Sequence, residues 1–188
     1  MPEPFLFFLM GAILVAALVW VTRRFLTFRG QKPDIYADAH PMFDIREHLS
    51  GDMICEGVIF GPLGRVTSTF VADFDIVWTG QVGVMKERFT YDDRSTQDRE
   101  WTIKLGEAGA FTTTAPDVPG TGIGIQSGPT VQMRYAIKLP DDAGGHVLQT
   151  VDWMYLTPDG TIVNRSQFRK FGIKVAELVA TIRKKDTT

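Results

Sequence analysis

The chain has 188 residues, 44% of them hydrophobic and 22% charged, with a formal net charge of -2. That composition excludes a globally disordered chain, and a near-neutral balance without a basic stripe argues against nucleic acid as a partner. The lone cysteine, Cys55, excludes an intrachain disulfide, which fits a reducing compartment without requiring one.

The first element is apolar. No charged residue occurs from Pro4 to Thr22, and 19 residues at 1.5 Å rise cover roughly 28 Å, about one hydrocarbon thickness. Trp20 sits at the far end, where an indole favours the headgroup layer, and Arg23 and Arg24 stop the run. The spacing predicts a transmembrane helix over residues 4–22. A cleaved export signal is the competing reading, but it calls for a positive leader and a small-x-small site. Here Glu3 leads, and the basic residues follow the run. Arg23, Arg24, Arg29 and Lys32 all lie after the helix, so the positive-inside rule puts the rest of the chain in the cytoplasm, beneath the inner membrane. Residues 23–41 read as a juxtamembrane linker. Its Phe25, Leu26 and Phe28 alternate loosely with arginines, suiting either the membrane surface or an ordinary basic flank.

From Met42 onward the dominant period is two, and residues 42–188 form one β-rich domain. Phe70, Ala72, Phe74, Ile76 and Trp78 share a face opposite Asp73 and Asp75. Val131, Met133, Tyr135, Ile137 and Leu139 share another, and Val147, Val151, Trp153 and Tyr155 a third, opposite Thr150 and Asp152. Turn signals separate these runs, among them Gly61-Pro62-Leu63-Gly64, Asp92-Asp93, Pro140 to Gly145, and Pro158-Asp159-Gly160. The expected strands lie near 52–60, 65–78, 81–91, 98–105, 109–115, 130–139, 146–156 and 161–169. The glycine-rich run from Gly120 to Gly128 lacks a dinucleotide or P-loop pattern and reads as a flexible connection, a lid over a barrel mouth. At the end, Val175, Leu178, Val179 and Ile182 fall at helical spacing. Arg183, Lys184 and Lys185 would complement that helix's dipole. The fold class is therefore mainly β: an antiparallel up-and-down barrel of about eight strands with a carboxy-terminal helix. Closure removes exposed sheet edges, and such a barrel can enclose one small apolar ligand.

Several stretches together resemble the uncharacterised DUF3833 family. They are Glu87-Arg88-Phe89-x-Tyr91, Arg99-x-Trp101, Ala115-x-Asp117-Val118-x-Gly120 with Gly122-x-Gly124, Asp152-Trp153-Met154-Tyr155-Leu156, Asn164-Arg165, and Lys170-Phe171-Gly172. The resemblance spans roughly residues 42–185. It implies a lipocalin-like domain of the bacterial envelope, often lipidated in relatives, and no catalytic residues. It makes a periplasmic domain the alternative to the cytoplasmic one.

Chemistry is sparsely signalled. His40, His48, His146 and Cys55 are scattered, so neither a metal site nor a cofactor is expected. No nucleophile elbow occurs. Glu87 shares a face with Met85, Phe89 and Tyr91. It either faces solvent, as glutamate usually does, or is buried and partnered by Asn164 or Arg165, fixing a ligand's polar end. Trp78, Tyr135 and Trp153 are expected wall residues of an apolar cavity, against plain core packing. The reading is a membrane-anchored module that holds a lipid or other apolar small molecule. The alternatives are a lipid-modifying enzyme and a scaffold for protein partners at the membrane.

Overall fold

The computed structural model describes residues 3–25, 27–141 and 144–185. Leu26 of the linker, Asp142 and Ala143 of the expected turn, and the last residues, 186–188, lie outside the described residues. Helix α1 (Glu3–Phe25) carries the apolar run. Its Glu3–Thr22 portion is long and apolar enough to cross a membrane. Two short 3-10 turns, Phe28–Gly30 and Pro33–Tyr36, follow, and then the one-turn helix α2 (Ile45–His48).

Ten strands come next: β1 (Gly51–Phe60), β2 (Val66–Thr79), β3 (Val82–Tyr91), β4 (Thr96–Leu105), β5 (Ala110–Thr114), β6 (Gly122–Ser127), β7 (Thr130–Lys138), β8 (Val147–Leu156), β9 (Ile162–Lys170) and β10 (Ile173–Lys184). Each pairs antiparallel with its sequence neighbour, and β1 pairs with β10, with Cys55 opposite Ile182, to close the barrel. The fold is thus mainly β and lipocalin-like, as expected, but among the described residues there are ten strands rather than eight and no carboxy-terminal helix.

Both extra strands have a physical explanation. In β6, glycine replaces larger residues because the wall needs room. A Cβ on Gly124 would stand 2.1 Å from the Phe111 ring, and one on Gly122 would meet Thr113 Oγ1. The run is a paired strand, not a lid. In β10 the helical spacing is a coincidence of a bulged strand. The register shifts between Lys174 and Ala176, after which Leu178, Ala180 and Ile182 face the interior. Val and Ile are stiff at χ1 and suit a pleated wall. The basic residues expected at a helix end instead reach neighbouring elements, Arg183 to Glu56 and Lys185 to Asp73.

Helix α2 plugs one end of the barrel. Asp44 caps it, accepting from Arg46 N–H at 2.8 Å. Ile45 N–H donates to Gln126 Oε1 at 2.8 Å. Ile45 and Leu49 are fully buried and form the floor of the core. The turns after β1, β3, β5, β7 and β9 surround the opposite, open end. The linker does not lie free. Phe28 is buried on the outer wall beneath the Arg165 guanidinium, 4.8 Å from its ring. Further along, Gln31 Oε1 accepts from the hydroxyls of Tyr36 and Tyr155 at 2.7 and 2.9 Å. Ser127 then donates to the Pro33 carbonyl at 2.8 Å.

Candidate functional site

The open end leads into a chamber of about 740 Å³ walled mainly by apolar groups, including Ile59, Phe89, Ile137, Leu148 and Phe168. Behind it lies a second space of about 100 Å³, bounded below by Ile45 and Leu49. Phe89, Arg99, Phe168 and Leu178 border both. The inner space is smaller than the ~150 Å³ that admits a benzene-sized molecule. The outer chamber falls within the ~300–1,000 Å³ range of ligand sites.

Arg99 stands at the waist between the two. It lies on the inward face of β4 with Trp101 and Ile103, directly across from Glu87 of β3 in the paired register. Its Nε donates to Asp117, with both carboxylate oxygens 3.0–3.1 Å away. Asp117 comes from the β5–β6 connection, which folds inward and buries Val118. The guanidinium carbon lies 4.2 Å from the Trp101 ring centroid, a cation–π contact. Arg99 Nη2 is buried and makes no hydrogen bond. That is an unspent donor on a positive charge, carried by a side chain that borders the apolar chamber; buried groups of this kind are normally satisfied.

Glu87 is buried, 7% exposed, and its Oε2 has no partner. Burial raises its pKa from 4.5 to about 7, against the pull of Arg99 and the Trp101 N–H. A second carboxyl, Asp152, faces the same interior from β8. It accepts from Asn164 Nδ2 at 2.5 Å and from Ser166 Oγ at 2.8 Å. Burial raises its pKa despite those donors. Burial likewise pushes the Tyr135 hydroxyl and the Cys55 thiol well up, so both stay neutral. The waist can therefore offer a fixed cation, a carboxyl that titrates near neutrality, and neutral hydroxyl and amide groups.

Of the six residues expected from sequence, Glu87, Tyr135 and Asn164 come together in this interior. The other three do not. Trp153 points outward and is fully buried by the linker, with Tyr36 edge-on at 5.7 Å and Tyr155 stacked at 5.9 Å. The linker gives β8 a second apolar face, so the inner one is Leu148, Thr150, Asp152, Met154 and Leu156. Arg165 is also outside, ion-paired to Glu177 at 2.6 Å, and cannot partner Glu87. Trp78 lies at the plugged end, where its indole donates to the Leu49 carbonyl at 2.7 Å and its ring covers Gly83. It secures the plug and does not border the chamber.

The family model for DUF3833, a protein of unknown function, matches residues 23–184. The chain belongs to the DUF3833 family. The match includes the linker, in keeping with its packing on the barrel. This DUF3833 barrel is similar in fold to the S-type phycobiliprotein lyase CPES from Guillardia theta, with TM-score 0.58 and 9% identity over 84% of this chain and 99% of that one. It is also similar to Rv2717c from M. tuberculosis, with TM-score 0.53 and 13% identity over 79% and 99%. At such identities the likeness is one of fold alone. No curated protein sequence matches the chain.

Sequence reasoning missed the DUF3833 waist residue Arg99 and its partner Asp117. The signal was present. Gln97, Arg99, Trp101, Ile103 and Leu105 alternate on one face of β4, and a charge on an apolar face marks an interior site. Asp117 carried no local signal, because only the fold of a connection brings it to Arg99.

Proposed function

We propose that the barrel binds an apolar small molecule with a polar end, a lipid or acyl chain, and that α1 anchors it in the inner membrane. The observation that carries this reading is the buried, unsatisfied Arg99 Nη2 at the floor of an apolar chamber. The polar end meets Arg99 and Glu87, with Tyr135 and Asn164 nearby, and the apolar body fills the outer chamber. A neutral Glu87 can donate a hydrogen bond. An ionised one repels a carboxylate placed beside Arg99. The inner space is too small for an acyl chain, which supports a head-inward orientation with the tail toward the opening.

The basic flank after α1 supports a cytoplasmic barrel, and the envelope association implied by the family supports the periplasmic alternative. An alkaline phosphatase fusion at the carboxy terminus tests this, and enzyme activity would refute the cytoplasmic arrangement. For the ligand, native mass spectrometry of the detergent-extracted full chain is decisive. The expected result is a noncovalent lipid adduct that Arg99→Met largely loses. A bare mass for the parent protein, with no saturable tryptophan response to fatty acids or phospholipids, overturns the binding function.

A further inference from the structure

The open rim is unevenly apolar. The β1–β2 turn presents Leu63 at 84% exposure, and the β9–β10 turn presents Phe171 at 92%. Because β1 pairs with β10, these two hairpins are neighbours. Ile173 and Val66, beside the two tips, are exposed as well. The turns at the plugged end differ. Their tips, Gly80, Glu107 to Gly109 and Pro158 to Gly160, carry no large apolar side chain. Turn chemistry does not account for Phe171. It sits at φ 52°, before Gly172 at φ 78°, in a two-residue hairpin that favours Asn-Gly and disfavours a bulky side chain. A ring held in that conformation and left in water is destabilising on both counts.

Charge and chain path bear on what could cover this patch. Residues 61–66 and 169–174 contain Arg65, Arg169, Lys170 and Lys174 and no acidic residue. Lys170 Nζ lies 5.6 Å from the Phe171 ring centroid. Aromatic and aliphatic tips rimmed by lysine and arginine match the interface of an anionic bilayer. The acidic Asp92-Asp93 turn is on the far side of the β1–β2 hairpin. The chain leaving α1 reaches the barrel in this same sector. Phe28 packs against Arg165 of β9, and Arg29 is near enough to Arg169 to depress its pKa, although burial is the larger cause.

We infer that the rim docks tilted onto the anionic surface of the bilayer, with Leu63 and Phe171 inserted, so that the chamber opens directly against lipid. This rests on the anchored, lipid-binding reading above and adds its direction: the ligand's tail end faces the membrane it comes from.

The full chain is reconstituted in phosphatidylcholine–phosphatidylglycerol vesicles with an environment-sensitive fluorophore on Leu63→Cys, Phe171→Cys or Asp159→Cys. Cys55 is buried and stays unlabelled in the folded protein. Spin-labelled lipids should quench the probe at 63 and 171 at least several-fold more than at 159. Adding Phe171→Asn, which suits the turn, should weaken quenching at 63. Equal quenching at all three positions in vesicle-bound protein overturns the docking. Failure to float with vesicles overturns docking and anchoring together. Rim quenching without a lipid adduct in the mass spectrum keeps the docking and removes the cargo.

Discussion

Replacing Glu87 with glutamine should stabilise the protein by an amount that grows as pH rises through the range of about 5 to 8. In the unfolded chain this carboxyl loses its proton near its ordinary value of 4.5, whereas in the barrel it keeps the proton to about 7. Between those values the unfolded state binds fewer protons, so stability falls as pH rises. The difference of roughly 2.5 units corresponds to about 3 kcal/mol at 1.36 kcal/mol per unit, present in full above about pH 8. Glutamine has no proton to lose and avoids that cost. For a chain of this size, about 3 kcal/mol amounts to roughly 6–12 °C in Tm. Thermal unfolding of detergent-solubilised full chain, followed by near-ultraviolet circular dichroism, should show a gap between variant and parent at pH 8.5 that shrinks to little at pH 4.5. The same gap at both pH values would mean that Glu87 does not titrate in the barrel as its burial requires.

Three further outcomes follow from the same geometry. Fatty-acid affinity should rise roughly tenfold, or about 1.4 kcal/mol, as pH falls from 8 to 6. Glu87 gains its proton over that range and stops repelling the ligand's carboxylate beside Arg99; calorimetric titration at both pH values measures it, and a flat profile removes Glu87 from contact with the ligand. Phe28→Ala should cost about 3 kcal/mol and red-shift tryptophan emission as water reaches Trp153; an unchanged spectrum would show that the linker does not cover Trp153 in solution. Gly124→Ala should destabilise by about 1–3 kcal/mol, because its Cβ would collide with the Phe111 ring. Denaturation midpoints check this, and the added Phe111→Leu should recover part of the loss.

What the sequence made legible was what alternation can encode. Phe70, Ala72, Phe74 and Ile76 on β2, and Val131, Met133 and Tyr135 on β7, face inward as period two required. The turn residues marked most strand ends. The reading failed where one pattern served two purposes. β6 uses glycines to admit a neighbouring ring, so it lacks the apolar side chains that announce a strand. β10 contains a bulge, and a skipped residue turns alternation into apparent helical spacing. On β8 the outer residues Trp153 and Tyr155 are more apolar than the inner Thr150 and Asp152, because the linker covers them. No window within β8 can reveal a cover that comes from residues 28–36. The polar waist was half legible for the same reason: Glu87 stood out on its own strand, while its true neighbour is set by pairing across β3 and β4.

The packing of Phe28 on the outer wall also fixes how far the domain can travel. Between Phe25, the last residue of α1, and Phe28, already seated under Arg165, there are three Cα–Cα steps, a span of about 11 Å at most. The barrel is no balloon on a string. While that seat holds, the β9 side of the barrel stays beside the end of α1. With α1 in a bilayer, as proposed above, a ligand for a distant acceptor would be taken up next to that bilayer, or the Phe28 seat would first have to be released.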